Sequence, residues 1–213
     1  MHAMSRKKST EIKAFMFDLG KVVLDFDFKP AFKRLSKASG LTPEEVREFF
    51  MRSGLEVLYD GGKLSSREFY RQVKRSLRHN LSFLEFKYLW NHVFIPHKPV
   101  IQLIRKLRTH YRLVLISNTN AMHYRYIRKT YTVLEHFDRI ILSFREKIRK
   151  PDARIYRKAA LACRAKPHEI FYIDDREDLT QSAKALGFHT FTYRKNPHEL
   201  TQAMRSLGIR GVS

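Results

Sequence analysis

A chain of 213 residues, 43% of them hydrophobic, can bury one good core, or one core plus a small insertion. No apolar run approaches the length of a membrane span, and a single cysteine, Cys163, excludes an internal disulfide framework or a cysteine-rich zinc site. The formal net charge is +21 and uneven: residues 97–168 carry 18 Lys/Arg against 4 Asp/Glu, whereas residues 169–213 carry 6 of each.

Residues 1–10 are polar and basic with no apolar stretch behind them, so no secretory signal is expected and a cytoplasmic location fits. Met1-His2-Ala3-Met4 reads as an added leader ahead of a natural start at Met4. Residues 12–18 form the first predicted strand, in which the apolar run Ala14-Phe15-Met16-Phe17 stops at Asp18 and Gly20 follows. Residues 21–28 alternate loosely, as a flap or hairpin would, and carry Asp25 and Asp27. From about 30 to 95 the pattern is helical, over 31–39, 43–52, 65–78 and 82–93. Thr42-Pro43-Glu44-Glu45 is a helix start, with an N-cap, a proline at the first helical position and an acidic first turn. Ser65 and Ser66 cap the next helix, after the break at Gly61-Gly62.

Beyond residue 98 helices and strands alternate. Helices are predicted at 99–109, 121–130, 151–163, 178–186 and 197–207, and strands at 112–117, 139–143, 169–174 and 189–193. This alternation implies an α/β fold, a Rossmann-like doubly wound parallel sheet. With no strand signal at 28–95, that block is expected to be an inserted small helical cap, and 11–27 with 96–213 the core. Cys163 lies in an apolar helical stretch and reads as a small core residue. In Arg125-Tyr126-Ile127-Arg128-Lys129 and Arg154-Ile155-Tyr156-Arg157-Lys158, charges alternate with apolar residues at helical spacing. Solvated helix faces are therefore expected in the basic region 97–168, with a nucleic-acid backbone as the alternative partner. His79, His92, His97 and His110 read as surface or helix-end residues, and no histidine pair has metal-site spacing.

Four element ends carry polar residues suited to one reaction. The first strand ends in Asp18, and the next in Ser117-Asn118-Thr119-Asn120. Lys150-Pro151 opens a helix, and Asp174-Asp175 closes a further strand. All belong on the carboxyl edge of the sheet, where open α/β folds place ligands. Together they supply a nucleophile, a hydroxyl and amides for phosphate, a fixed cation, and carboxylates for a hard metal. Phosphoryl transfer through an aspartyl-phosphate needs this set. Asp178 is either a third acidic member or a first-turn helix residue; the second reading is preferred.

Asp18-Leu-Gly20-Lys-Val22, Ser117-Asn118, Lys150-Pro151 and Asp174-Asp175 match, in order, the four motifs of the haloacid dehalogenase (HAD) superfamily, and the chain resembles its phosphatases over nearly all its length. Within that family it is similar to the bacterial α-D-glucose-1-phosphate phosphatases, on the stretches 17–28, 117–120 and 149–156. The resemblance implies a Mg²⁺-dependent phosphoric monoester hydrolase acting on a small phosphorylated metabolite, a hexose 1-phosphate for example. Asp18 would be the nucleophile and a metal ligand, and Gly20 would offer its carbonyl to the metal. Asp175 would be the direct carboxylate ligand, with Asp174 close behind it. Ser117 and the Asn118 amide would hold phosphate, and Lys150 would bridge Asp18 and phosphate. In the cap, Tyr59, Asp60 and Gly61 are candidates for substrate specificity, or else a connector between helices.

Two positions depart from the family pattern. Many members carry an aspartate two residues after the nucleophile as general acid and base; Gly20 stands there, as it does in the glucose-1-phosphate phosphatases. Lys147 stands where related sequences have a glycine, and a reshaped loop is expected. An alternative reading is a catalytically weak phosphate-binding protein of the same fold.

Overall fold

The computed structural model describes residues 11–212, so the reading of residues 1–10 lies outside the described residues. At the centre is β1 (Ala14–Phe17), all four residues of which are fully buried. It pairs with β4 (Arg112–Ser117) on one side and β6 (Ile170–Asp174) on the other. β5 (Arg139–Leu142) and β7 (His189–Thr192) complete a sheet of order β5-β4-β1-β6-β7. Every pairing is parallel, so all five carboxyl ends share one edge.

The two-residue period of a strand sends alternate side chains into two separate cores. Phe15, Phe17, Leu113 and Leu115 meet Val100 and Ile104 of α6 (Lys98–Leu107), Ile127 of α7 (Ala121–Thr130) and Leu200 of α11 (Pro197–Ser206). Ala14, Met16, Val114 and Ile116 meet Ile155, Ala159 and Cys163 of α9 (Ala153–Cys163) and Ala183 of α10 (Glu177–Ala185). Burial on both faces is the reason β1 and β4 read as continuous apolar runs. Each large apolar side chain so buried contributes about 1.5–3 kcal/mol. Cys163 is a core residue, as its sequence context suggested.

The helical block leaves the core through β2 (Leu24–Phe26) and returns through β3 (Phe94–Pro96). The two pair antiparallel, Leu24 opposite Pro96, and tie both ends of the block together. Between them run α1 (Lys29–Ser39), α2 (Pro43–Arg52), α3 (Leu55–Asp60), α4 (Ser66–Leu77) and α5 (Phe83–Asn91). Thr42, Ser65 and Ser82 each form a full capping box with the glutamate three residues on. Phe50, Phe69, Phe86 and Trp90 pack into a third core, which Met122 of α7 also enters.

α3, β3 and the four-residue α8 (Ser143–Glu146) are elements the sequence did not announce. Six, three and four residues are too few to display a period. His79 corrects an expectation. It is buried rather than at the surface, its ring stacked on Phe86, because α4 and α5 close over it. In the basic region Arg125, Arg128, Lys129, Arg154, Arg157 and Lys158 are all exposed, an arrangement that solvated helix faces and a nucleic-acid surface have in common. No helix among the described residues is long and apolar enough to cross a membrane.

Candidate active site

Asp18 follows the last residue of β1, and its amide donates to the Ile173 carbonyl of the neighbouring β6, which holds the carboxylate at the sheet edge. Lys150 reaches it from the start of the α9 segment. The ammonium donates to Asp18 Oδ1 at 2.6 Å, to Asp174 Oδ2 at 2.6 Å and to the Ile116 carbonyl at 3.3 Å, and the residue is 3% exposed. Asn118 positions it: the side-chain amide donates to the Lys150 carbonyl at 3.0 Å, and its oxygen accepts the Lys150 N–H at 2.9 Å. The Asn118 side chain is thus spent on Lys150, and any phosphate contact falls to its main-chain amide. The Ser117 hydroxyl makes no hydrogen bond among the described residues and lines the cavity beside Asp18, available to a ligand.

Burial works against the Lys150 ammonium, but Asp18 and Asp174 outweigh it and raise its pKa. Burial likewise pushes the Asp18 carboxyl up to about 7, against the pull of Lys150 and with Asp174 adding to the rise. Asp175 is raised by burial and by Asp174. One oxygen each of Asp18, Asp174 and Asp175 can be chosen so that all three lie within 4.8 Å of one another. Three carboxylates around one buried ammonium leave surplus negative charge, and the donors are all oxygen. This fits a hard divalent cation. Asp174 already accepts from Lys150, from the Tyr172 hydroxyl and from the Arg176 amide. Among the described residues Asp175 pairs only with Lys21, at 3.9 Å, and so keeps oxygens for a metal. Asp178 lies in the first turn of α10, paired with Arg176, and takes no part.

Beside this cluster, lined by the residues that follow Asp18 in the chain and by the Ser117–Asn120 strand end, lies a cavity of about 160 Å³. The core contributes Gly20, Ser117 and Asn118 to its wall, and the helical block contributes Glu56, Asp60 and Trp90. Of the three cap residues singled out from sequence, only Asp60 lines it. Tyr59 is 1% exposed and is committed elsewhere, its hydroxyl bonded to Ser66 and accepting the Met122 amide at 3.1 Å. Gly61 packs against the Arg149 side chain. This turn is where the block sits on the core. Ser143 accepts from the Thr119 amide and donates to the Asp60 carbonyl. A Cβ on Gly62 would stand 2.3 Å from the Phe144 carbonyl oxygen, so only glycine fits there. Lys147 has φ 54°, the left-handed conformation that glycine favours. The turn is therefore built as a glycine would build it, at a cost of about 1–2 kcal/mol for a lysine.

Asp25 and Asp27 lie outside the cavity; Asp25 pairs with Lys195, and Asp27 accepts the Lys29 amide. Sequence reasoning missed Glu56 and His123. His123 packs between Trp90 and Phe94, with Nε2–H donating to the Trp90 carbonyl and Nδ1 accepting from Asn120. Burial lowers its pKa from 6.5 to about 4, against the Trp90 bond, which raises it. The folded protein thus keeps His123 neutral where the unfolded chain protonates it. Its contribution is full above pH 6.5 and drains away as pH falls towards 4, by up to about 1.4 kcal/mol per pH unit. Urea unfolding at pH 7 and pH 5 should show a smaller loss of stability in His123→Phe than in the wild type; equal losses would contradict this.

A model of the haloacid dehalogenase-like hydrolase family matches residues 12–187. The chain belongs to that family. Its sequence is 28% identical over 191 residues to a D-ribitol-5-phosphate phosphatase of Bacteroides thetaiotaomicron, covering 84% of this chain and 91% of the relative. A HAD family enzyme from the same organism, solved in complex with magnesium and inorganic phosphate, superposes with a TM-score of 0.78 at 26% identity, over 87% of this chain and 96% of that one. A HAD-like hydrolase of Porphyromonas gingivalis gives a TM-score of 0.76 at 26% identity, over 92% and 98%. The named relative is thus a sugar-phosphate phosphatase, but for a pentitol 5-phosphate rather than a hexose 1-phosphate.

Proposed function

We propose that this HAD hydrolase is a Mg²⁺-dependent phosphatase of a small sugar or polyol phosphate, working through an aspartyl-phosphate on Asp18. The observation that carries this is the buried Asp18–Lys150–Asp174 cluster at the sheet edge, next in the chain to Leu19 and Gly20, which line one small cavity together with the unspent Ser117 hydroxyl and Asn118. Asp18 attacks phosphorus in line; the Ser117 hydroxyl and the Asn118 amide hold the phosphate oxygens; Lys150 keeps Asp18 ionised and oriented. Asp18, Asp175 and the Gly20 carbonyl would hold Mg²⁺, which supplies charge neutralisation and orientation of the phosphate. The helices of 28–95 act as the cap, with Asp60 as its contribution to specificity. A cavity of about 160 Å³ is in keeping with a small phosphorylated substrate.

Two substrates lead. Without a substitute for the missing carboxylate at position 20, an easily departing group is favoured and hence a hexose 1-phosphate; the relative from Bacteroides points to a pentitol 5-phosphate, whose departure calls for a proton donor elsewhere in the wall. A panel holding glucose 1-phosphate, glucose 6-phosphate and D-ribitol 5-phosphate, assayed with and without Mg²⁺, decides between them. Hydrolysis that needs Mg²⁺ is expected, and its absence on every phosphate would refute the reading. In Asp175→Ala, half-maximal activity should require roughly tenfold more Mg²⁺ or beyond, since the variant loses the least committed ligand. An unchanged titration would remove Asp175 from the metal site.

A further inference from the structure

We propose that Glu56, on the cap helix α3, is the general acid and base that position 20 does not supply. The inference rests on the phosphatase reading above. Gly20 forms part of the cavity wall, and a Cβ built on it would lie 3.1 Å from Phe26 Cε1 and 3.7 Å from Asp18 Oδ2. The Phe26 ring thus occupies the space into which a side chain at 20 would grow. A proton donor for the leaving group has to come from another part of the wall.

Among the described residues that line the cavity, only Glu56, Asp60 and His123 carry groups that titrate between acid and neutral pH. His123 has both ring nitrogens committed, one to the Trp90 carbonyl and one to Asn120. Asp60 accepts from the Asn120 amide at 3.1 Å through Oδ1, and its carbonyl is bonded to Ser143. The Glu56 carboxyl makes no hydrogen bond and no ion pair among the described residues, although it is half-buried and faces the same cavity as Ser117. An unspent carboxyl in such a place costs stability with no structural return, which is what a functional group looks like. Burial first, and Asp60 second, push Glu56 up to about 7, with Arg149 opposing. Both protonation states are then populated at neutral pH, as a group that gives and then takes a proton requires.

An Asp18 carboxylate oxygen forms a bond to phosphorus, and the bond from phosphorus to the substrate oxygen breaks with its electron pair on that oxygen. The Glu56 carboxylic acid gives that oxygen its proton, so the alcohol leaves and Glu56 becomes a carboxylate. A water oxygen then attacks phosphorus, its proton passes to Glu56, and the bond to Asp18 breaks with its pair returning to the carboxylate. Phosphate leaves, and both residues are restored.

The test compares wild type and Glu56→Gln on p-nitrophenyl phosphate, whose leaving group needs no proton, and on the alkyl phosphates D-ribitol 5-phosphate and glucose 6-phosphate. For the variant, kcat/KM on the alkyl phosphates should fall by about 10²–10⁴-fold. With p-nitrophenyl phosphate the first step is spared and the second is not. A rapid burst of about one p-nitrophenolate per enzyme, followed by slow turnover, is therefore expected. The burst also shows that the variant is folded. Equal losses on both kinds of substrate without a burst, or an undiminished rate on alkyl phosphates, would overturn the role of Glu56 alone. A wild type inactive on every phosphate would overturn the phosphatase reading, and this inference with it.

Discussion

Asp18→Asn should abolish turnover, by about 10⁴-fold or more, while leaving the fold intact. An amide is a poor nucleophile and a weaker metal ligand than a carboxylate, so both proposed roles of the residue vanish together. The fold survives because asparagine has nearly the same shape and its oxygen can still accept from the Lys150 ammonium, which lies 2.6 Å from Asp18 Oδ1. A neutral side chain there also escapes the burial cost that pushes the Asp18 carboxyl up to about 7. The melting temperature and the circular dichroism spectrum should therefore stay close to wild type. Acid-quenched wild-type enzyme should carry a base-labile phosphoryl group that the variant lacks. Retained hydrolysis by pure Asp18→Asn protein would rule out the covalent route.

Lys150→Met should be the most destabilising change in the site. The ammonium lies between the buried carboxylates of Asp18 and Asp174, 2.6 Å from each. Removing it leaves like charges facing each other in a medium that solvates neither, and such breaks cost about 3–5 kcal/mol. The loss should depend on pH. Asp18 has a folded pKa above its ordinary value, so the folded state binds the extra proton, and stability rises as pH falls through that window. Without Lys150, which pulls the carboxyl down, the window moves upward. Urea midpoints measured without divalent metal should then show the variant far below wild type at pH 8 and closer to it at pH 6. Equal stability at pH 8 would mean that the cluster is not held together by this cation. Activity should also fall by at least about 10²-fold, since the phosphate loses a fixed positive charge.

Much of this protein was legible in one dimension because the relevant physics is local. An apolar run that stops at a carboxylate or a serine marks a strand end, so Asp18, Ser117 and Asp174 could be placed on the sheet edge before any coordinates. The helix caps at Thr42 and Ser65 rest on residues a few positions apart, and both form, each closed by the glutamate three residues on. Lys150 was nameable only through the ordered motifs, since a lysine in a polar loop has no local mark of burial. The tertiary structure decided what sequence distance hides. Tyr59, Asp60 and Gly61 look alike as a turn, yet only Asp60 lines the cavity, because the Tyr59 hydroxyl is taken by the Met122 amide and Ser66 and Gly61 packs against Arg149, while Asp60 gives only its carbonyl to Ser143. The side chain that fills the space beside Gly20 comes from β2, and the unspent carboxyl across the cavity comes from a six-residue helix too short to show a period. Residues 20, 56 and 123 share one wall only because β2 and β3 pair and so fold the inserted helices back over the carboxyl edge of the sheet. The chain alone therefore determined which chemistry the core offers, through short-range patterns of burial and charge. The cavity that decides what reaches that chemistry is a product of long-range packing.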